Sequence, residues 1–279
     1  MTDFFFRFRQ NRLALVGLIV ILLYAVLAVA APWAAPHDPY AMSAEAMLAE
    51  PGRDYWLGAD PFGRDIFSRV LYGARLSLMV GAIAAGIALV VGTIMGMAAG
   101  YFGRWTDAVL SRIMDVLFSF PDILLALVIM AILGPSTVNV MIAIGIVYTP
   151  IFARIARAST LSVKEADFVE AAKSMGARPM AILWRHILPN IAAPLIIQTT
   201  LSFAFAILAE AALSFLGLGV EPDAPSWGIM LNEGKNWMEQ AWWVAVIPGV
   251  AITLAVLSFN VLGDGLRDAL DPKLRSKGA

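Results

Sequence analysis

The sequence contains no cysteine, and this absence excludes disulfide bonds, thiolate catalysis and cysteine zinc sites. Its only two histidines, His37 and His186, lie too far apart in sequence to indicate a metal site. Charged residues are also few: they make up 15% of the chain, whereas soluble domains contain about 25%. The net charge of -1 gives no support to nucleic-acid binding. This composition, with 60% hydrophobic residues, indicates a membrane protein.

The patterns that mark common catalytic sites are missing as well. The chain has no GxxxxGKS or GxxxxGKT phosphate-binding loop, no HExxH pattern and no GxSxG nucleophile elbow. A Gly-Lys pair at 234–235 lacks the upstream glycine and the following hydroxyl residue of a phosphate-binding loop. We therefore predict that this chain is not an enzyme and binds no cofactor or metal itself.

Long apolar runs fill most of the chain. The first run has nineteen uncharged residues, and as a helix it would span about 28 Å, close to the roughly 30 Å of a bilayer core. A cleavable signal peptide is the alternative, but its apolar region covers only about 7–15 residues. We predict an all-α polytopic membrane protein with six transmembrane helices: Leu13–Ala31, Leu76–Gly100, Ile113–Leu133, Val140–Ala156, Ile191–Leu213 and Val244–Leu262.

Basic residues are divided unequally between the two sides of the membrane. Six spans place both termini on one side, and the segments on that side hold fifteen of the twenty lysines and arginines. The positive-inside rule therefore predicts cytoplasmic termini. The external segments are then Pro32–Arg75, which ends in a short amphipathic helix over Ile66–Arg75, and Ser214–Trp242. Glu221, Asp223 and Lys235 are charged residues of the second external segment.

The polar interlude Glu170–Pro189 lies on the cytoplasmic side between two apolar runs. Ser162 and Glu165 predict a capping box at the start of a helix. That helix would carry its apolar residues on one side, at Phe168, Ala171, Ala172 and Met175. Gly176 suits its C-terminal cap.

A second short helix is predicted over Met180–Leu188. Pro179 suits its first turn, and Pro189 is expected to end it. Both helices are too short to be stable alone. They either cap the membrane bundle or dock onto a partner.

Four carboxylates lie in or beside the predicted spans: Asp115, Asp122, Glu210 and Asp264. Ionisable groups are costly in a bilayer and are functional candidates by default. Arg112, three residues before Asp115, predicts a local ion pair. Asp122 and Glu210 are candidates for the translocation pathway. Glu210 has two alternatives, a satisfied contact between helices or an external interface residue. Gly92 and Gly96 form a GxxxG pattern, which we interpret as packing within the chain.

Several stretches resemble one known family. Glu170-Ala171-Ala172, Gly176 and Leu188-Pro189 are similar to the EAA signature of ABC importer permeases, at that family's spacing. The general signature has isoleucine where this chain has His186, but the peptide-importer branch commonly reads HILPN there. Ala59 replaces the usual threonine of another motif. The further matching stretches are Trp56–Asp60, Gly63–Asp65, Ser68–Arg69, Gly73–Arg75, Asp115–Pro121, Ser214–Val220, Pro225–Gly228, Asn260–Asp268 and Leu270–Pro272.

The chain resembles the C-type permease subunit of ABC dipeptide, oligopeptide and nickel importers, also called binding-protein-dependent transport system inner-membrane components. The resemblance implies a type I permease fold with cytoplasmic coupling helices. It implies a heterodimer with a B-type permease, two ABC ATPases that bind ATP and Mg, and an extracytoplasmic substrate-binding protein. The residues that it assigns to ATPase coupling are Asp167, Phe168, Glu170, Ala171, Ala172, Gly176, Ala177, Arg178, Leu188 and Pro189.

We divide the chain into three regions on this basis. Residues 1–75 form an N-terminal transmembrane helix and an external segment. Residues 76–266 form a five-helix core with the EAA loop at about 158–190, and residues 267–279 form a cytoplasmic tail. The predicted function is ATP-driven import of di- and oligopeptides. An ATP-independent channel or transporter is the alternative function, and nickel, glutathione and oligosaccharides are alternative cargoes.

Overall fold

The computed structural model describes Phe8, Arg9 and residues 11–270. The described chain is predominantly helical, with one isolated β-bridge between Ala59 and Asp65. The prediction of an all-α protein is confirmed. The helices are α1 (Arg12–Ala34), α2 (Ile66–Phe102), α3 (Arg104–Phe118), α4 (Asp122–Leu133), α5 (Thr137–Val163), α6 (Asp167–Ser174), α7 (Pro179–Ile182), α8 (Leu188–Phe215), α9 (Trp227–Gly234) and α10 (Trp243–Leu270).

Within the described residues, five helical segments are long and apolar enough to cross a membrane. They are α1, α2, α5, the continuous segment Pro179–Phe215, and α10. A sixth crossing results if α3 and α4 count as one span, bent by 93° at residues 119–121. The predicted third span, Ile113–Leu133, is therefore wrong in its bounds, because a break divides it between α3 and α4. Pro121 has no N–H to donate and disfavours helical backbone before it, so α3 ends and α4 begins again in a new direction.

The helix α2 is continuous over 37 residues, which makes it about 56 Å long. Asp65 is its N-cap, and the carboxylate accepts a hydrogen bond from the Ser68 N–H at 2.9 Å. The predicted boundary between a short helix at Ile66–Arg75 and a separate span is wrong. No proline interrupts α2, and Gly73 leaves room for the Trp227 ring to pack directly against the helix.

The helices α2 and α5 pack against each other along most of their length. Gly92 and Gly96 lie in this contact: a Cβ atom at Gly92 would stand 2.6 Å from both the Thr149 carbonyl oxygen and the Phe152 Cβ. Small residues allow such close approach, and packing rather than hydrophobicity drives helix association in lipid. The interpretation of the GxxxG pattern as packing within the chain is confirmed.

The helices α1 and α10 pack together on the other side of the bundle. The Tyr24 hydroxyl in α1 donates to the Ala251 carbonyl oxygen of α10 at 3.0 Å. The α10 helix extends to Leu270, past the predicted end at Leu262. Residues 271–279 of the predicted tail lie outside the described part of the chain.

A π-helical turn at Leu183–Ile187 joins α7 to α8 without a break. The Leu188 N–H donates to the Leu183 carbonyl five residues earlier. The predicted end of a helix at Pro189 is therefore wrong. Proline is tolerated near the start of a helix, and here the widened turn precedes it, so the missing N–H of Pro189 does not stop the chain from continuing as α8.

Candidate partner-docking surface

The segment between α5 and α8, here called the loop, is organised around α6. The helix α5 continues to Val163, so Ser162 is still helical and the predicted capping box is wrong. A short turn follows, and α6 begins at Asp167 with the extended residue Ala166 at its N-cap. The Ala166 side chain makes no capping hydrogen bond.

Buried apolar residues hold the loop against the bundle. Val169 and Ala172 form the buried side of α6. Val169, Ile182 and Ile187 belong to the same apolar cluster as Phe152 of α5. This packing supplies the support that two helices of eight and four residues lack on their own.

The turn after α6 is a Schellman motif. The Ala177 N–H donates to the Ala172 carbonyl at 3.0 Å, and the Gly176 N–H donates to the Lys173 carbonyl at 2.9 Å. Gly176 adopts φ = +80°, a region that glycine enters without the steric cost met by other residues. Pro179 then occupies the first turn of α7. The predictions for Gly176 and Pro179 are both confirmed.

The outward side of the loop carries large apolar side chains. Met175 is 81% exposed, Met180 is 61% exposed and Phe168 is 44% exposed. The predicted packing face of α6 is therefore largely wrong: of its four residues only Ala172 is buried, whereas Phe168, Ala171 and Met175 point outward. Val169 takes the buried position instead, in the apolar cluster of the bundle. We name Phe168, Ala171, Met175, Arg178 and Met180 the loop surface.

Charged side chains surround the loop surface. Asp167 and Glu170 lie in the first turn of α6 and Lys173 in its last turn, the arrangement that complements the helix dipole. The Lys173 ammonium lies 5.9 Å from the centre of the Tyr101 ring. Asp167, Glu170 and Arg178 have no ion-pair partner within the described residues.

The predicted coupling residues thus differ in solvent exposure. Most of them are exposed, whereas Ala177 and Leu188 are half-buried and Ala172 is buried. The exposed ones are Asp167, Phe168, Glu170, Ala171, Gly176, Arg178 and Pro189. The loop therefore combines exposed apolar and charged groups on one continuous segment. Such a surface is typical of a protein contact.

Ion pairs between α3 and α5 lie beside the loop. Arg157 donates twice to Asp107, with both N–O distances at 2.6 Å. Arg154 donates to Asp115 at 2.9 Å. The predicted pair between Arg112 and Asp115 is wrong, because α3 turns Asp115 towards α5. The sequence analysis missed these pairs, since their partners lie 39 and 50 residues apart.

The two candidate pathway carboxylates have different environments. Asp122 is exposed at the start of α4 and borders a small pocket with Tyr148 and Leu213. Glu210 is 0% exposed and accepts hydrogen bonds from three serines. The oxygen–oxygen distances from its carboxylate are 3.0 Å to Ser77, 2.9 Å to Ser214 and 2.7 Å to Ser226. Glu210 therefore fits the interhelical contact, the alternative that the sequence left open.

A buried charge network lies on the opposite side of the bundle, and sequence reasoning missed it. Arg64 is almost fully buried and contacts Asp60 and Glu233, each at 2.6 Å. Arg69 is fully buried and lies 3.7 Å from the same two carboxylates. The network joins the segment before α2 to α9 across 169 residues of sequence. The dense charge at 60–65 was the only sequence signal for it.

Glu221 also links distant parts of this side. Its carboxylate accepts a hydrogen bond from the Thr137 hydroxyl at 2.6 Å and from the Thr137 N–H at 3.2 Å. These bonds, of which the hydroxyl bond is the stronger cause, lower the pKa of Glu221 below its ordinary value. No group of three or more His, Cys, Asp or Glu side chains is arranged to hold a metal ion within residues 8–9 and 11–270.

Comparison with known proteins identifies relatives over the whole chain. Residues 88–276 match the family "binding-protein-dependent transport system inner membrane component", and residues 1–51 match the "N-terminal TM domain of oligopeptide transport permease C". A dipeptide transport system permease protein of Alkalihalophilus pseudofirmus is 48% identical, over 98% of this chain and 90% of the relative. A glutathione transport system permease protein of Pectobacterium atrosepticum is 46% identical, over 98% and 91%.

A solved structure shares the fold at low sequence identity. It is a chain of the MetNI methionine ABC transporter in an inward-facing conformation, with a TM-score of 0.58 and 19% identity. The match covers 73% of this chain and 97% of that chain. At this level of identity the match concerns the fold alone.

Proposed function

Because the chain belongs to the family of binding-protein-dependent transport system inner membrane components, we propose that it is one of the two permease subunits of an ATP-driven importer of di- and oligopeptides. In this proposal it forms half of the translocation pathway. It is a multi-pass protein of the inner membrane. The proposal extends to orientation: the termini and the loop face the cytoplasm, as the excess of basic residues on that side favours. A B-type permease forms the other half of the pathway.

The loop surface is proposed as the contact with an ABC ATPase. The observation that carries this proposal is the outward exposure of Phe168, Met175 and Met180 beside uncompensated charges. A partner that covers these side chains gains apolar burial at roughly 25 cal/mol per Å². Glu170 and Arg178 at the edge of this contact then determine how the ATPase is aligned on the loop surface more than how tightly it binds.

Coupling follows from the way the loop is attached. Val169 and Ala172 fix α6 to the bundle, and α7 continues into α8 through the π-helical turn. A displacement of α6 by a moving ATPase therefore reaches both α5 and α8. ATP and Mg belong to the ATPases in this proposal, and this chain contributes no catalytic residue.

The proposed cargo rests on the relatives. The relative from Alkalihalophilus pseudofirmus is named for dipeptides, and the one from Pectobacterium atrosepticum for glutathione, itself a peptide. A soluble binding protein docks on the external segments and delivers the peptide. Asp122 remains the proposed pathway residue in this chain, because it is exposed and borders a pocket.

The experiment that tests the proposal is a charge substitution in the loop surface. Met175→Glu should prevent copurification of the ATPase and abolish uptake of a labelled dipeptide, because a carboxylate would be buried in the contact. The matched control for copurification is Met47→Glu, at an exposed methionine between α1 and α2, which should leave the ATPase bound. Uptake that continues in Met175→Glu, or that needs no ATP, would favour the ATP-independent alternative.

A further inference from the structure

The helix α3 differs from every other long helix in the described chain by being strongly amphipathic without burying its apolar stripe. Trp105, Val109, Ile113 and Val116 recur at spacings of three and four and all are exposed, Trp105 to 84%. A different side of α3, including Met114, is packed against the bundle. Such a stripe on a helix that does not itself span requires an apolar environment to cover it.

The direction of α3 places it across the bundle. It meets α4 at 93°, so the two helices cannot both run along the membrane normal. The ion pairs between α3 and α5 agree with this direction. Asp107 and Asp115 are eight residues apart in α3, but the arginines of α5 with which they pair, Arg157 and Arg154, are only three residues apart. Since α5 is a spanning helix, α3 crosses it rather than following it.

The depth of this crossing matches a membrane surface. Thr137 begins α5 beside Glu221 of the external segment. Arg154 and Arg157 are 17 and 20 residues further along α5, which corresponds to about 26 and 30 Å of helix. The hydrocarbon core is about 30 Å thick. The ion pairs therefore hold α3 at the level where the opposite leaflet meets water.

Two arginines flank the exposed stripe. Arg104 and Arg112 are exposed and have no ion-pair partner within the described residues, in contrast to Asp107 and Asp115 on the same helix. A basic polar flank beside an apolar stripe with tryptophan is the composition of helices that lie in the interface of a membrane. Arginine stems can bury alongside the stripe while the guanidinium groups reach lipid phosphates.

We propose that α3 lies in the plane of the inner-membrane surface, with its apolar stripe in the lipid and Arg104 and Arg112 bound to anionic phospholipid headgroups. The partner is thus the lipid surface itself. The ion pairs to α5 would connect this lipid contact to the helix that carries the loop.

The absence of cysteine makes a direct test simple. Single variants Val109→Cys and Ile113→Cys are labelled with a nitroxide in the full transporter, in vesicles of phosphatidylethanolamine and phosphatidylglycerol. We expect collisions with oxygen to exceed those with a water-soluble nickel complex at both positions. Ala108→Cys, on the polar flank, is the matched control and should show the reverse.

Two outcomes would overturn the proposal. Ready collision with the nickel complex at 109 and 113 would place the stripe in water. Protection from both reagents would mean that protein, such as the second permease, covers it. Val116→Cys provides a third position on the stripe should one of the first two variants fail to insert.

Headgroup binding is tested separately with a fluorophore attached to the Val109→Cys variant and nitroxide-labelled lipids as quenchers. We expect labelled phosphatidylglycerol to quench more than labelled phosphatidylcholine. Arg104→Gln and Arg112→Gln should each reduce this preference by about fivefold, equivalent to about 1 kcal/mol per arginine. Arg53→Gln, in the segment before α2, should leave the preference unchanged. An unchanged preference in the double variant would exclude the arginines as the headgroup site.

Discussion

The two ends of the bundle are stabilised in opposite ways. The end that we propose to be external carries buried opposite charges: Arg64 and Arg69 lie among Asp60 and Glu233 with almost no exposed surface, and Arg64 is hydrogen-bonded to both carboxylates, whereas Nε and Nη2 of Arg69 have no hydrogen-bond partner among the described residues. The loop end carries exposed methionines and charges without an ion-pair partner among the described residues. At the external end opposite charges are thus brought together within one chain, whereas the loop end exposes apolar and charged groups to solvent, where a second protein can cover them.

The largest expected effect comes from breaking the external network. Asp60→Asn leaves Arg64 and Arg69 with one carboxylate fewer in a buried site. Removing one partner of a buried ion pair costs about 3–5 kcal/mol. We expect a lower midpoint of thermal unfolding in detergent, measured by circular dichroism. Asp54→Asn, an exposed neighbour in the same segment, is the control. Equal midpoints for the two variants would remove the proposed contrast between the ends.

The serine cluster around Glu210 gives the next largest effect. Glu210→Ala leaves the hydroxyls of Ser77, Ser214 and Ser226 without their common acceptor. Unsatisfied buried groups cost about 1–3 kcal/mol. We expect reduced stability, while Glu210→Gln retains part of it because the amide oxygen still accepts. If Glu210→Gln instead abolished uptake in a fully stable protein, Glu210 would be a pathway residue after all.

A smaller effect on stability is expected at the loop end. Gly176→Ala forces a residue with a Cβ into φ = +80°, which costs roughly 1–2 kcal/mol. The space around Gly176 is open, so the cost is conformational rather than steric. We expect faster hydrogen exchange in α6 and weaker ATPase binding, with the bundle intact. Gly52→Ala, at a glycine with ordinary φ, should change neither quantity.

The smallest expected effect is the pH dependence contributed by Glu221. Its lowered pKa means that the ionised carboxylate stabilises the folded state. This contribution is complete above the ordinary pKa of about 4.3 and is lost as the pH falls through the lower folded value. We expect Glu221→Gln to flatten the stability profile as the pH falls below the ordinary pKa of a glutamate. A profile that keeps the same slope would assign the acid sensitivity to other carboxylates.

Local features were predictable from the sequence, and distant contacts were not. The glycine after α6 and the proline at the start of α7 follow from backbone preferences of single residues, so the turn between them was predicted. The side that α6 buries was not, because Phe168 and Val169 are adjacent and equally apolar. Only the packing of α6 onto the apolar cluster of the bundle decides between them.

The same reasoning explains the other differences. The break at Pro121 is encoded locally, but no local pattern predicts its angle of 93°. Glu233 and Arg64 lie 169 residues apart, and no local sequence pattern around either residue predicts that they form an ion pair. The resemblance to a permease family therefore gave the fold and the loop, whereas the external network and the orientation of α3 required coordinates.

The π-helical turn before α8 determines how the residues that precede it are rotated about the axis of α8. A turn with hydrogen bonds five residues apart accommodates one residue more than an α-helical turn does. Deleting one residue from Leu183–Ile187 would restore an α-helix and rotate everything before it by about 100° about the axis of α8. The loop surface would then face a different direction relative to α8. The one additional residue in this turn thus sets the rotational orientation of the loop surface about the axis of α8.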